Sequence, residues 1–257
     1  MNTTKNGVIT AEHPSQQGHW YRKDGTPAYT IIGKNGKERN VTLRDARKEK
    51  LLPGVTTPIR CAAAPGLEIW KQQNVLMSAL TTDRLPGESE QDYIERIIKD
   101  ANDQSAKARE RGTYIHGVVQ AGFEGKYVED FDRIYYESAK NEIEKHCGVR
   151  PWDCEVPFAA DRYGGKVDLQ NSEYVIDIKT TEKPVDELKT WDEHAWQLSA
   201  YDFPRRNRKC GILYINVLTA ESRLIWIEKE AIEKGWKCFS ALLDFFYAKT
   251  GLIIEEV

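Results

Sequence analysis

Apolar positions along the chain switch between spacings of two and of three to four residues, and the switches predict its elements. Residues 1–18 hold neither pattern and read as a mobile arm. Residues 19–43 read as a small β unit, with Asn35-Gly36 as the hairpin turn between AYTIIGK and KERNVTL. LLPGVTTPIR (51–60) reads as a loop. Pro65 opens a helix through Leu80, LPGESE interrupts it, and helices follow over 88–121 and 130–147. Then come strands: WDCEVPFAA (152–160) with Trp152, Cys154, Val156 and Phe158 alternating, a turn at Tyr163-Gly164-Gly165, KVDLQ (166–170) and YVIDIKT (174–180). Residues 184–203 return to helical spacing, and GILYINVL (211–218) and SRLIWIEK (222–229) to strand spacing. EAIEKGWKCFSALLDFFYAKT closes the pattern as an amphipathic helix for a core or an oligomer face. The succession predicts an α/β fold, a central mixed sheet of about five strands flanked by helices. An N-terminal extension of arm, hairpin and helix (1–87) precedes that core (88–257).

One strand carries an anomaly. In EYVIDIKTTEK (173–183), alternation puts Tyr174, Ile176 and Ile178 on one face and Val175, Asp177 and Lys179 on the other. A carboxylate and an ammonium thus share one side of an otherwise apolar strand. Burying either alone is costly, and a buried pair rarely out-stabilises apolar replacements. Such charges are retained where chemistry needs them.

Composition narrows the chemistry. The 257 residues are 40% hydrophobic and 30% charged, as suits one globular domain with a small appendage. No apolar run is long enough for a membrane span, and MNTTKNGVITAEHPSQQ resembles neither a signal nor a transit peptide. Five scattered cysteines, never spaced CxxC, argue against disulfides, a zinc site and an iron–sulfur cluster, and point to a reduced, cytoplasmic protein. With 37 basic and 40 acidic residues, a uniformly basic coat is excluded, while a local basic groove for nucleic acid is not.

Asp168 precedes Asp177 across a tight turn, so two short antiparallel strands would bring the carboxylates side by side. Such a pair repels unless a cation lies between, and hard oxygen ligands suit Mg²⁺ or Mn²⁺ together with a substrate phosphate. Lys179 would then face the phosphate, stabilising negative charge or orienting the attacking water. His116, four residues after Gly112 in RGTYIH, offers an imidazole, and Gln197 and Tyr201 project together from one helix face. Each element alone has a structural alternative: a surface ion pair, a satisfied helix histidine, a polar helix face.

Taken in order, RGTYIH, GGKVD, VIDIKT and QLSAY resemble the PD-(D/E)XK nuclease superfamily, in its RecB-like exonuclease branch with phage, CRISPR-associated and mitochondrial genome maintenance exonucleases. The motifs cover about residues 109–203, and LLPGVTTPIR…LEIW is similar to the start of phage and mitochondrial members. The resemblance implies a restriction-endonuclease-like core and metal ligation by His116, Asp168, Asp177 and the Ile178 carbonyl. It also implies Lys179 as the catalytic lysine, Gln197 and Tyr201 as its support, and Glu155 as the acidic residue on the preceding strand. Val167, not proline, precedes Asp168, as in many RecB-like members, and the cluster-binding cysteines of some relatives are missing. DNA contacts are expected from Thr56, Thr57, Lys71, Arg111, Thr180 and Thr181. Trp70 and the threonines also have plain structural roles available, as helix core and turn caps. The implied activity is Mg²⁺- or Mn²⁺-dependent exonucleolytic hydrolysis of DNA, in recombination, repair or replication, alone or with a protein of those pathways. A structure-specific endonuclease and a non-cutting DNA-binding module are the alternatives.

Overall fold

In a computed structural model, residues 19–202 and 207–253 are described; the arm expected over 1–18 lies outside them. The chain forms two compact units, each assembled from separated segments. One holds the described residues through Cys61, Pro157–Lys166 and those from Phe239 onward; the other holds Ala62–Val156 and Val167–Cys238.

In the first unit, β1 (Trp20–Tyr21) pairs antiparallel with β4 (Leu52–Pro53), and β2 (Thr30–Ile32) with β3 (Glu38–Asn40). The β2–β3 turn falls at Asn35-Gly36, where Gly36 takes a positive φ of 74° that favours glycine. Two short helices add to the expected elements: α1 (Leu43–Glu49), which starts at the last residue of the expected β unit, and α2 (Thr56–Ile59), within the expected loop. The α1 start is a capping box, in which Thr42 accepts from the Asp45 N–H while the Asp45 side chain accepts from the Thr42 N–H. Trp20, Ala28, Val41, Ala46, Leu51, Phe246 and Leu252 form this unit's core.

The second unit contains α3 (Pro65–Thr81), α4 (Glu90–Phe123) and α5 (Arg133–Cys147), each close to its expected bounds. Pro at the first position of α3 and Ser89 capping α4 set the two starts. The sheet follows in chain order, β5 (Asp153–Ala159), β6 (Gly164–Gln170), β7 (Tyr174–Thr181), β8 (Lys209–Asn216) and β9 (Ser222–Trp226). Strands β6 and β7 are antiparallel, β7 and β8 parallel, β8 and β9 antiparallel, so the sheet is mixed. The β7–β8 crossover carries α6 (Asp192–Asp202), and α7 (Lys229–Thr250) follows β9. Two strands, β5 and β6, and helix α7 each run from one unit into the other.

Ile176 and Ile178 pack with Ile115 and Val119 of α4 and with Ala139 and Ile143 of α5 in the main core. Their strand neighbour Asp177 faces α6 instead, so helices flank both sides of the sheet. Among the described residues no helix is long and apolar enough to cross a membrane.

The helix expected over 184–203 begins only at Asp192. The preceding carbonyls have other partners. Arg223 Nη1 donates to the Val185 and Asp186 oxygens, and Tyr214 Oη donates to that of Lys189, while Leu188 is extended. Only a 3₁₀ turn at Val185–Glu187 forms there.

Candidate metal and acid–base site

Strand β6 supplies the first carboxylate by interrupting its own ladder. Backbone pairing joins Gln170 to Val175 and Leu169 to Ile176. At the next position the Asp168 side chain intervenes, its Oδ2 accepting the Ile178 N–H at 2.7 Å. A carboxylate thus stands in for a backbone acceptor where two antiparallel strands part. The Ile178 backbone, expected as a ligand through its carbonyl, is thus tied to Asp168 through its N–H.

Helix α4 supplies the imidazole. His116 Nε2 lies 3.1 Å from Asp168 Oδ2, and Nδ1 lies 3.5 Å from Glu155 Oε1. Gly112, one turn earlier, sets the approach: a Cβ there would fall 2.6 Å from Thr180 Oγ1 on β7. Glu155 reaches the site through a backbone irregularity, a φ of +51° within β5 that breaks the strand's side-chain alternation. His116, Glu155 and Asp168 each offer a ligand atom within 4.8 Å of the others, and all three are partly buried. Burial disfavours the charged imidazole, but the hydrogen bond and charge of Asp168, then the charges of Glu155 and Asp177, outweigh it and raise its pKa above 6.5.

Asp177 and Lys179 form a second cluster on the α6 side. Lys179 Nζ lies 2.7 Å from Asp177 Oδ2, and Gln197 bridges both partners. Its Nε2 donates to Asp177 Oδ1 at 2.8 Å and to Tyr201 Oη at 2.9 Å, and its Oε1 accepts from Lys179 Nζ at 3.3 Å. The far end of α6 is tied down by Arg208, which donates to Asp202, Gln170 and the Tyr201 carbonyl. Asp177 is 1% exposed, yet its Oδ2 has no hydrogen bond of proper geometry despite the close ammonium. Burial, partly offset by Lys179 and reinforced by Asp168, pushes its carboxyl up to about 6. Burial also opposes charge on Lys179, but Asp177 and Asp168 prevail and its pKa rises. Asp168 and His116 act electrostatically on Asp177, so the clusters are neighbours across β6 and β7.

The donor set fits a hard divalent cation: one imidazole nitrogen and carboxylate oxygens at mutual ligand distances. Asp177 is not within the His116–Glu155–Asp168 group; its oxygens meet Gln197 and Lys179 instead.

The other residues expected to contact DNA lie on several elements. Arg111 Nη2 donates to the Val217 carbonyl at 2.6 Å, beyond the end of β8. Lys71 pairs with Glu68 on the exposed side of α3. Thr180 Oγ1 faces Gly112, and Thr181 Oγ1 accepts the Lys183 N–H. Thr56 and Thr57 lie in α2 of the other unit, where Thr57 Oγ1 is buried without a hydrogen bond. His194 sits one turn before Gln197 on α6, and burial and Lys179 together lower its pKa to about 4. The sequence signal for it was its spacing of three from Gln197 and seven from Tyr201.

No family model matches this chain, and no curated protein matches it. A solved structure described as "Crystal structure of SSO0001" aligns over 68% of this chain and 86% of its own, at 15% identity and a TM-score of 0.30. That likeness carries no argument.

Proposed function

We propose that this chain is a Mg²⁺- or Mn²⁺-dependent deoxyribonuclease with a restriction-endonuclease-like core, acting on free or single-stranded ends as RecB-like exonucleases do. The observation that carries the reading is the convergence of His116, Glu155 and Asp168 within ligand distance, beside the ion pair of buried Asp177 with the partly exposed Lys179. His116, Glu155 and Asp168 would hold the cation, which when bound supplies positive charge at a phosphodiester and a more acidic water.

The chain's own groups do the rest. Lys179 is held as an ammonium by Asp177 and Asp168, so it serves as a cation facing the negative charge that develops on phosphate, rather than as a base. Gln197 fixes that cation by touching both members of the ion pair, and Tyr201 fixes Gln197. Asp168, anchored on the Ile178 N–H, cannot swing away from His116 without losing a sheet hydrogen bond.

End-labelled single- and double-stranded DNA, incubated with and without magnesium, tests the reading. Metal-dependent degradation that is abolished in Lys179→Ala, with closed circular DNA left intact, is the expected result. Cleavage unchanged by Lys179→Ala would refute the assignment, and cutting of closed circles would select the endonuclease alternative. The resemblance of the ordered motifs favours the exonuclease.

A further inference from the structure

Immediately before α6, the chain presents a large aromatic ring to water on a fixed backbone. Trp191 is 70% exposed, which leaves most of its indole surface open to a partner. Its backbone is anything but loose. The Trp191 N–H donates to His194 Nδ1 at 3.2 Å, and the Trp191 carbonyl accepts the His194 N–H at 3.0 Å. Two residues earlier, Tyr214 Oη donates to the Lys189 carbonyl. Tyr214 is the residue paired with Lys179 across the β7–β8 ladder, and its hydroxyl also lies 3.4 Å from His194 Nδ1. The segment bearing the ring is therefore pinned at both ends to side chains beside the proposed catalytic lysine.

We propose that Trp191 is a stacking platform for a nucleobase of a single strand entering the site, an inference that rests on the nuclease reading above. Base faces are sequence-independent apolar surfaces, and a rigid exposed indole meets one with little ordering cost. Asp186, Glu187, Asp192 and Glu193 outnumber Lys189 on this stretch, which disfavours phosphate contacts, so affinity here has to come from the face of the ring. His194 and Tyr214 are positioning residues that hold the platform.

The test compares binding of a labelled single-stranded oligonucleotide by Lys179→Ala, which does not consume it, with binding by Lys179→Ala/Trp191→Ala. Stacking of one base predicts a loss of roughly 5- to 150-fold, nearly the same at low and at moderate salt, with Trp191→Phe retaining most of the affinity. A series of oligonucleotides with a single abasic position should contain one whose penalty vanishes in the Trp191→Ala background. Equal affinity with and without the indole, or abasic penalties identical in both backgrounds, overturns the proposal. Cleavage by the unaltered chain is assayed alongside. Metal-dependent cleavage combined with a negative stacking result removes only this inference, whereas absence of any such cleavage removes the function proposed above.

Discussion

Asp177→Asn should make the protein more stable and less active, and the gain should depend on pH. The Asp177 carboxyl is buried, and its pKa is raised from 3.8 to about 6. Ionising it inside the fold is thus disfavoured by about 3 kcal/mol relative to the unfolded chain. A folded-state pKa above the unfolded value means that the protein carries no such penalty below about 3.8, and the full penalty above about 6. Asparagine removes it while leaving an oxygen for Gln197 Nε2; its new amide faces Lys179, whose side chain is one-third exposed and can turn to water. The expected net gain at pH 8 in chelator is about 1–3 kcal/mol, shrinking towards zero or reversing by pH 4. Urea denaturation of both proteins at several pH values between 4 and 8 measures the difference directly, because groups unaffected by the substitution cancel. A variant that is destabilised at pH 8, or a difference that does not change with pH, would show that the Asp177 charge is well compensated where it lies and refute the reasoning.

Two further outcomes follow from the helix that carries the imidazole. Gly112→Ala gains about 1 kcal/mol of helix propensity but overpacks against Thr180, at a cost of about 1–3 kcal/mol. Moving α4 away from β7 should weaken Mn²⁺ binding at least about tenfold by calorimetry, and unchanged affinity would show that the contact relaxes without moving His116. Cation binding needs His116 neutral, and its pKa is raised in the metal-free protein. Mn²⁺ affinity should accordingly fall as pH drops through a midpoint above 6.5, a dependence that His116→Ala flattens. In chelator the same protonation stabilises the fold below 6.5, and that contribution fades as pH climbs past the raised value.

Much of the second unit was legible because its period and its anomaly coincide. Alternation in β7 alone assigned Ile176 and Ile178 to one helix layer and Asp177 and Lys179 to the other, as found. Gln197 and Tyr201 were paired by helical spacing and are hydrogen-bonded. A glutamate on an edge strand such as Glu155 is usually solvated; the left-handed backbone that brings it to His116 leaves no sequence signal when the residue is not glycine or asparagine. Helix α1 occupies a stretch between the expected β unit and the loop to which spacing assigns no element, although Thr42 and Asp45 spell its cap. The helix expected from 184 was shortened by tertiary acceptance, since Arg223 and Tyr214 lie about 25 to 40 residues away in sequence. Arg111 has a partner that no local pattern announces, the Val217 carbonyl, 106 residues away in sequence.

The parting of β6 from β7 at Asp168 has an implication for anyone disabling this protein by mutagenesis. Because that carboxylate doubles as a surrogate peptide oxygen, alanine at 168 would loosen the seam between β6 and the central strand β7 along with removing the charge, blurring loss of the proposed activity with a loosened scaffold. Asparagine preserves the acceptor and isolates the charge, which makes it the cleaner way to silence the molecule while keeping its architecture whole.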